Sequence, residues 1–107
     1  LVCSHSHSFG NECVYGIATY FYSKTDKDGY LANAIQKGMV EYGKRYDRGI
    51  IDTNFYVTKR SPMPAALTEL AFLSNYKEES LLNSQDFQKN LAIGICKGIN
   101  DYFLKFK

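Results

Sequence analysis

The sequence predicts an α/β fold, a mixed, mostly parallel sheet flanked by helices, with the fold's N-terminal strands and helices expected ahead of residue 1. Three observations predict it. Runs rich in β-branched and aromatic residues alternate with stretches whose apolar residues recur at three-to-four spacing, the order expected of strands and helices laid across one sheet. The chain lacks an initial Met and opens on an apolar run, Leu1-Val2-Cys3, that reads as the middle of a strand. The strands that can be counted are also few for two long helices, which again implies more sheet upstream.

The elements follow in order. Residues 1–8 alternate as a short strand with a polar end, and Gly10 with Asn11 marks a loop. Gly16 to Ser23, dense in β-branched and aromatic side chains, is a second strand. Asp26 to Gly29 offers N-cap candidates and early negative charge. Leu31, Ala34, Ile35, Gly38, Met39 and Tyr42 then make an amphipathic helix that fades near Tyr46, with Gly49 as a stop. Phe55-Tyr56-Val57-Thr58 is predicted as a third strand. Pro62 and Pro64 confine the next connection, and Ala65 to Leu73 is a mostly apolar fourth strand with one carboxylate in its middle. Asn83 or Ser84 caps the last helix, whose packing stripe is read as Phe87, Leu91, Ile95, Ile99 and Phe103, widened by Ala92 and Cys96.

Neither repeats nor low-complexity linkers divide the 107 residues, so a single domain over 1–107 is expected. With 45% hydrophobic and 22% charged residues the composition is that of a globular chain, which excludes disorder. A net charge of +2 falls far short of a basic stripe, so nucleic acid is not an expected partner. The apolar stretches are shorter than the ~18 residues that span a bilayer, so no membrane span is expected. Cys3, Cys13 and Cys96 cannot all pair within the chain and form no Cys-x-x-Cys clip, which argues against a disulfide framework or zinc knuckle.

Glu69 is the first candidate for chemistry. It stands in Ala-Ala-Leu-Thr-Glu-Leu-Ala-Phe-Leu, where a carboxylate among apolar neighbours faces a large desolvation cost. A metal, a cation or the mouth of a cleft would compensate it, and such surroundings tune a Glu to act as a general base. The solvent side of a half-covered strand is the equally weighted structural alternative. His5 and His7, one residue apart, project from the same face of a strand and can share a metal, zinc being suited to neutral imidazole. A solvent-facing or hydrogen-bonded pair is the commoner outcome, and two ligands fall short of the three a catalytic zinc takes. Lys59 and Arg60 can hold an anionic substrate group or form a solvated loop pair. Ser74 and Asn75 suit a turn, and a Ser-His triad among Ser4, Ser6 and Ser8 is disfavoured because strand neighbours face opposite ways.

These blocks together resemble the zinc amidases that cleave N-acetylmuramoyl-L-alanine linkages in bacterial cell walls and in phage lysins. Cys3 to Phe9 resembles the family's Ser-(Ile/Leu)-His-x-Asn-(Ala/Ser) strand end, with His5 on the zinc-ligand histidine and His7 where Asn is usual. Gly16 to Ser23 resembles Gly-Val-Glu-Thr-Tyr-Tyr-Tyr-Ser, with Ala18 in place of Glu. Leu31 to Gln36 matches a Leu-Ala-x-x-Ile-Gln helix, and Arg48-Gly49 followed by Phe55-Tyr56-Val57 matches an Arg-Gly and its downstream strand. The most specific block is Met63 to Asn75, close to Met-Pro-Ala-Val-Leu-Val-Glu-x-Gly-Phe-Leu-Ser-Asn, with Glu69 on the catalytic glutamate and Ala71 in place of Gly. Gln88 to Phe103 resembles the closing helix.

The resemblance implies a peptidoglycan hydrolase, the C-terminal part of an amidase catalytic domain, acting outside the cell or at the wall, or as a phage lysin made in the host cytoplasm. It implies zinc as cofactor, His5 as one ligand, a further His and Glu supplied from upstream of residue 1, and Glu69 as the residue that activates water. Two other readings fit the same residues: a catalytically incomplete wall-binding or regulatory fragment, and, further off, a zinc carboxypeptidase.

Overall fold

The computed structural model describes residues 2–9, 16–73 and 80–107, with 3–9 and 71–73 described by their backbone alone. Four strands, β1 (Val2–Phe9), β2 (Gly16–Phe21), β3 (Asp47–Asp52) and β4 (Ala66–Leu73), join in the order β1-β4-β2-β3. β1 runs parallel to β4 and β3 parallel to β2, while β2 and β4 are antiparallel. Helices α1 (Asp26–Gly43), α2 (Tyr56–Arg60) and α3 (Gln85–Lys105) complete the described elements. The α/β class and mixed sheet expected from the sequence are those observed.

α1 connects the parallel pair β2 and β3 and lies on the sheet. Ile17 of β2, Ala66 of β4 and Leu31, Ala32, Ile35 and Met39 of α1 form the buried core, which Phe87, Leu91 and Tyr102 of α3 extend. Each large aliphatic side chain buried this way contributes about 1.5–3 kcal/mol. α3 crosses α1 where Gly38 meets Gly94, and a Cβ on either residue would strike the other's backbone carbonyl. The glycines thus set how closely the two helices approach. A polar bracket tightens the same face: Thr19 Oγ1 donates to Gln36 Oε1 at 2.8 Å, and Gln36 Nε2 donates to the Ile17 carbonyl at 2.8 Å and to Asp47 Oδ1 at 2.7 Å.

Several expectations need correction. The α1 N-cap is Thr25, one residue before the expected candidates, and Asp28 completes a capping box. The helix ends at Lys44 in the left-handed region rather than continuing toward Tyr46, and Gly49 lies inside β3. The third strand is Asp47–Asp52; Phe55 to Thr58 instead caps and begins α2, where Lys59 N and Thr58 Oγ1 both donate to the Phe55 carbonyl. In α3, capped by Ser84, the buried positions are Phe87, Leu91, Gly94, Gly98 and Tyr102, whereas Phe103 is exposed. Four-residue steps overshoot a 3.6-residue turn by about 40° each, so a stripe built only of them walks off the face. Gly10, Asn11, Ser74 and Asn75 lie outside the described residues, and Cys96 is an exposed free thiol.

Asp28, fully buried, ties this layer to the start of β4. Its carboxylate accepts from Lys24 Nζ at 2.7 Å, Thr25 N at 3.0 Å, Thr25 Oγ1 at 3.1 Å and Ala65 N at 3.1 Å. Burial pushes its pKa up, but the Lys24 ammonium and the backbone and hydroxyl donors outweigh it, so the net shift is below the ordinary 3.8. A depressed folded-state pKa means that the stabilisation is complete above the unfolded value and is lost as pH falls through the lower folded one. Asp28→Ala is expected to lower stability by about 2–4 kcal/mol, combining a lost cap with stranded buried donors. Urea unfolding measured from neutral pH down through the carboxylate range should show the two proteins' stabilities converging in acid; a constant difference would contradict the assignment.

Candidate active site

The sheet has two unlike faces. Ile17 and Thr19 of β2 turn toward α1, so Ala18 and Tyr20 between them turn the other way, as strand alternation requires. In β4, Ala66 and Leu70 pack into the core, which leaves Glu69 on the second face. Neither α1 nor α3 covers that face.

The pairings lay a single row across all four strands. Gly49 of β3 is opposite Ala18 of β2, Ala18 is opposite Glu69 of β4, and Glu69 is opposite His5 of β1. The sequence-predicted candidates Glu69 and His5, 64 positions apart by number (69 − 5), thus meet as register neighbours. His7 falls opposite Ala71, one alternate position further along.

Glu69 is only 9% exposed, so the solvent-facing alternative does not hold. Two side chains meet it, Tyr20 from the adjacent β2 and Arg48 from β3 beyond it. Arg48 Nη1 donates to Glu69 Oε1 at 3.3 Å, Arg48 Nη2 donates to Tyr20 Oη at 3.3 Å, and Tyr20 Oη donates to Glu69 Oε1 at 3.4 Å. The compensation that the sequence demanded of some cation comes in part from Arg48. Tyr20 is held in turn by an edge contact with Phe55, ring centres 5.2 Å apart.

Arg48 and Tyr20 are the functional neighbours that sequence reasoning missed. A glycine inside a strand often marks a bulge, but with Gly49 read as a helix stop that signal was hidden until β3 was seen. Asp47 is opposite Ile17 and Gly49 is opposite Ala18, so Arg48 is the extra residue of a bulge, and Gly49 carries φ +83°. Lys59 and Arg60 stand on α2 rather than in a loop, Lys59 Nζ 5.8 Å from the Tyr22 ring centre and the Arg60 guanidinium 5.5 Å from that of Tyr56. Among the described residues, no group of three His, Cys, Asp or Glu side chains converges as a metal site would require.

Known proteins place this arrangement. The family profile described as N-acetylmuramoyl-L-alanine amidase matches residues 1–101. A cell wall amidase of Bacillus anthracis, itself described as uncharacterized, is 33% identical over 110 residues, covering 95% of this chain and 20% of that protein. Among solved structures, the catalytic domain of CwlV, an N-acetylmuramoyl-L-alanine amidase from Bacillus (Paenibacillus) polymyxa var. colistinus, is similar at TM-score 0.83 and 36% identity, with 95% of this chain and 56% of that one covered. The CwlD amidase of Clostridioides difficile, solved with the GerS lipoprotein, gives TM-score 0.84 at 29% identity over 95% and 53%. The chain belongs to the N-acetylmuramoyl-L-alanine amidase family. It spans about half the length of these solved domains and 20% of the Bacillus anthracis relative.

The bulge yields a test. A Cβ added at Gly49 meets nothing within 4 Å, so any cost of Gly49→Ala comes from the backbone alone. The positive φ predicts a loss of about 1–2 kcal/mol in urea unfolding. An unchanged midpoint would show that the strand does not depend on this conformation.

Proposed function

We propose that this chain is the C-terminal part of a peptidoglycan amidase catalytic domain, hydrolysing the amide between N-acetylmuramic acid and the L-alanine of the stem peptide. The observation that carries the reading is the β1–β4 register, which sets His5 beside a buried Glu69 in a chain of the amidase family. The donor chemistry suits zinc at one corner: β1 carries a histidine at the register position opposite Glu69, and imidazole in its neutral form is a ligand zinc favours. His5 is the ligand this chain contributes, and the others are assigned to the part of the family domain that it does not span. When bound, zinc supplies Lewis acidity that polarises the scissile carbonyl.

Glu69 does the proton work. As a carboxylate it takes a proton from the attacking water while the new C–O bond forms, then delivers that proton to the L-alanine nitrogen as the C–N bond breaks. One residue thereby serves as base and acid, and it finishes ionised as it began. Partial burial suits this task, since water is limited around the carboxylate and its charge acts through a lower dielectric. The proposed place of action is the cell wall or the extracellular side, in keeping with the cell wall amidases and the Bacillus phage SPP1 endolysin to which the chain is similar.

Glu69→Gln keeps size and one oxygen but cannot accept the proton. In the complete catalytic domain, turnover on purified peptidoglycan, read as newly exposed L-alanine amino groups, is expected to fall by on the order of 10²–10⁴-fold. Zinc affinity, measured by calorimetric titration, should be unchanged in Glu69→Gln and weakened in His5→Ala. Turnover by Glu69→Gln that matches the unaltered, active domain would remove Glu69 from the mechanism, and unaltered zinc binding by His5→Ala would remove His5 from the metal site.

A further inference from the structure

We propose that Arg48, delivered by the β3 bulge and locked by Tyr20, is the positioning residue that holds the Glu69 carboxylate in its working orientation. The inference rests on the reading of Glu69 as the base, and it assigns that base a dedicated support on two neighbouring strands.

Geometry is the first support. β3 and β4 are separated by β2, so Arg48 must reach across two strand spacings, on the order of 10 Å between backbones. The row it crosses is Gly49 and Ala18, the two smallest residue types, which leave the sheet surface open for a long side chain. The bulge supplies the aim. Asp47 is anchored toward the helix side, its Oδ1 accepting from Gln36 Nε2 at 2.7 Å and from Gly49 N at 2.8 Å. The extra residue that follows emerges toward Glu69. Bulges are a known means of re-aiming one side chain next to a site without disturbing the ladder around it.

Chemistry is the second support. The guanidinium uses two different nitrogens on two different oxygens, Glu69 Oε1 and Tyr20 Oη, while Tyr20 Oη also reaches Oε1. A three-sided arrangement of this kind restricts rotation of the carboxylate, which a single-point cation could not do. A stability role alone accounts poorly for it. Both charges are largely withdrawn from water, with side chains 17% and 11% exposed, and such pairs are commonly no more stabilising than apolar replacements. Fixing a catalytic group to within a fraction of an ångström, by contrast, is worth large factors in rate.

The test compares the complete catalytic domain that contains this chain with its Arg48→Ala, Arg48→Lys, Tyr20→Phe and Glu69→Gln variants, using turnover on purified peptidoglycan and urea unfolding. Arg48→Ala is expected to lower kcat by about 10–100-fold with KM little changed. Lysine should restore only part of the loss, and added guanidinium ion should recover turnover in Arg48→Ala but not in Glu69→Gln. Unfolding of the Arg48→Ala, Glu69→Gln double variant should be non-additive, a readout independent of activity. A wild-type kcat in Arg48→Ala, a loss carried by KM, or additive unfolding effects would each overturn the inference. The outcomes separate cleanly: an active Glu69→Gln sinks the assignment of Glu69 itself, whereas an inactive Glu69→Gln beside a fully active Arg48→Ala sinks only the role of Arg48.

Discussion

One buried carboxylate organises the end of the molecule from which the site is built. Asp28 closes the first turn of α1, holds Lys24, and accepts the backbone N–H of Ala65 immediately before β4. Lys24 passes the connection on by donating to the Thr58 carbonyl of α2 at 2.7 Å. A helix N-terminus, a short helix and the start of a strand are thus tied by one charged group. Glu69 comes four residues after Ala65, so the bond that fixes where β4 enters the sheet also fixes which residue lands opposite His5 and Ala18. A slip of one residue would reverse the faces and bury Glu69 against Met39 and Ile35.

The sheet divides labour between its faces. On one, α1 and α3 pack closely through Gly38 and Gly94, and the Thr19–Gln36–Asp47 bracket adds direction to an otherwise apolar contact. That face supplies the stability of the fold. On the other, polar residues from β2 and β3 converge on a β4 carboxylate that is expensive to bury alone. Rigid strands backed by a packed helical layer are a suitable support for chemistry that tolerates little misplacement.

Family membership and chain length together define what these residues represent. The chain reproduces the amidase fold over nearly its whole length, yet corresponds to about half of the solved domains. What it carries of the row is the buried Glu69, the Arg48 that pairs with it, and the backbone position of His5. One departure from the motif that the sequence resembles falls close by: Ala18, in the place of that motif's Glu, is the direct neighbour of Glu69 in the register. The absence of a carboxylate there leaves Arg48 to face Glu69 across an alanine.

Local chemistry alone determined a good deal. The apolar periodicity placed α1 and α3, a β-branched and aromatic run placed β2, a mostly apolar run placed β4, and the lone carboxylate in that run marked Glu69 before any fold was known. Local chemistry failed where neighbours outweigh propensity. Phe55 to Thr58 has strand-forming side chains but turns into α2, where Thr58 is buried and its carbonyl is held by Lys24. Asp47 to Asp52 looks like a polar loop but is a strand, because the parallel ladder with β2 satisfies its backbone. Gly94 and Gly98 carry no apolar signal, so the true face of α3 was visible only once α1 lay against it. Only the tertiary structure could decide that Tyr20 and Arg48 meet Glu69 and that His5 falls opposite it in the register, since strand order and the β3 bulge set that arrangement and neither is written in the spacing of the residues.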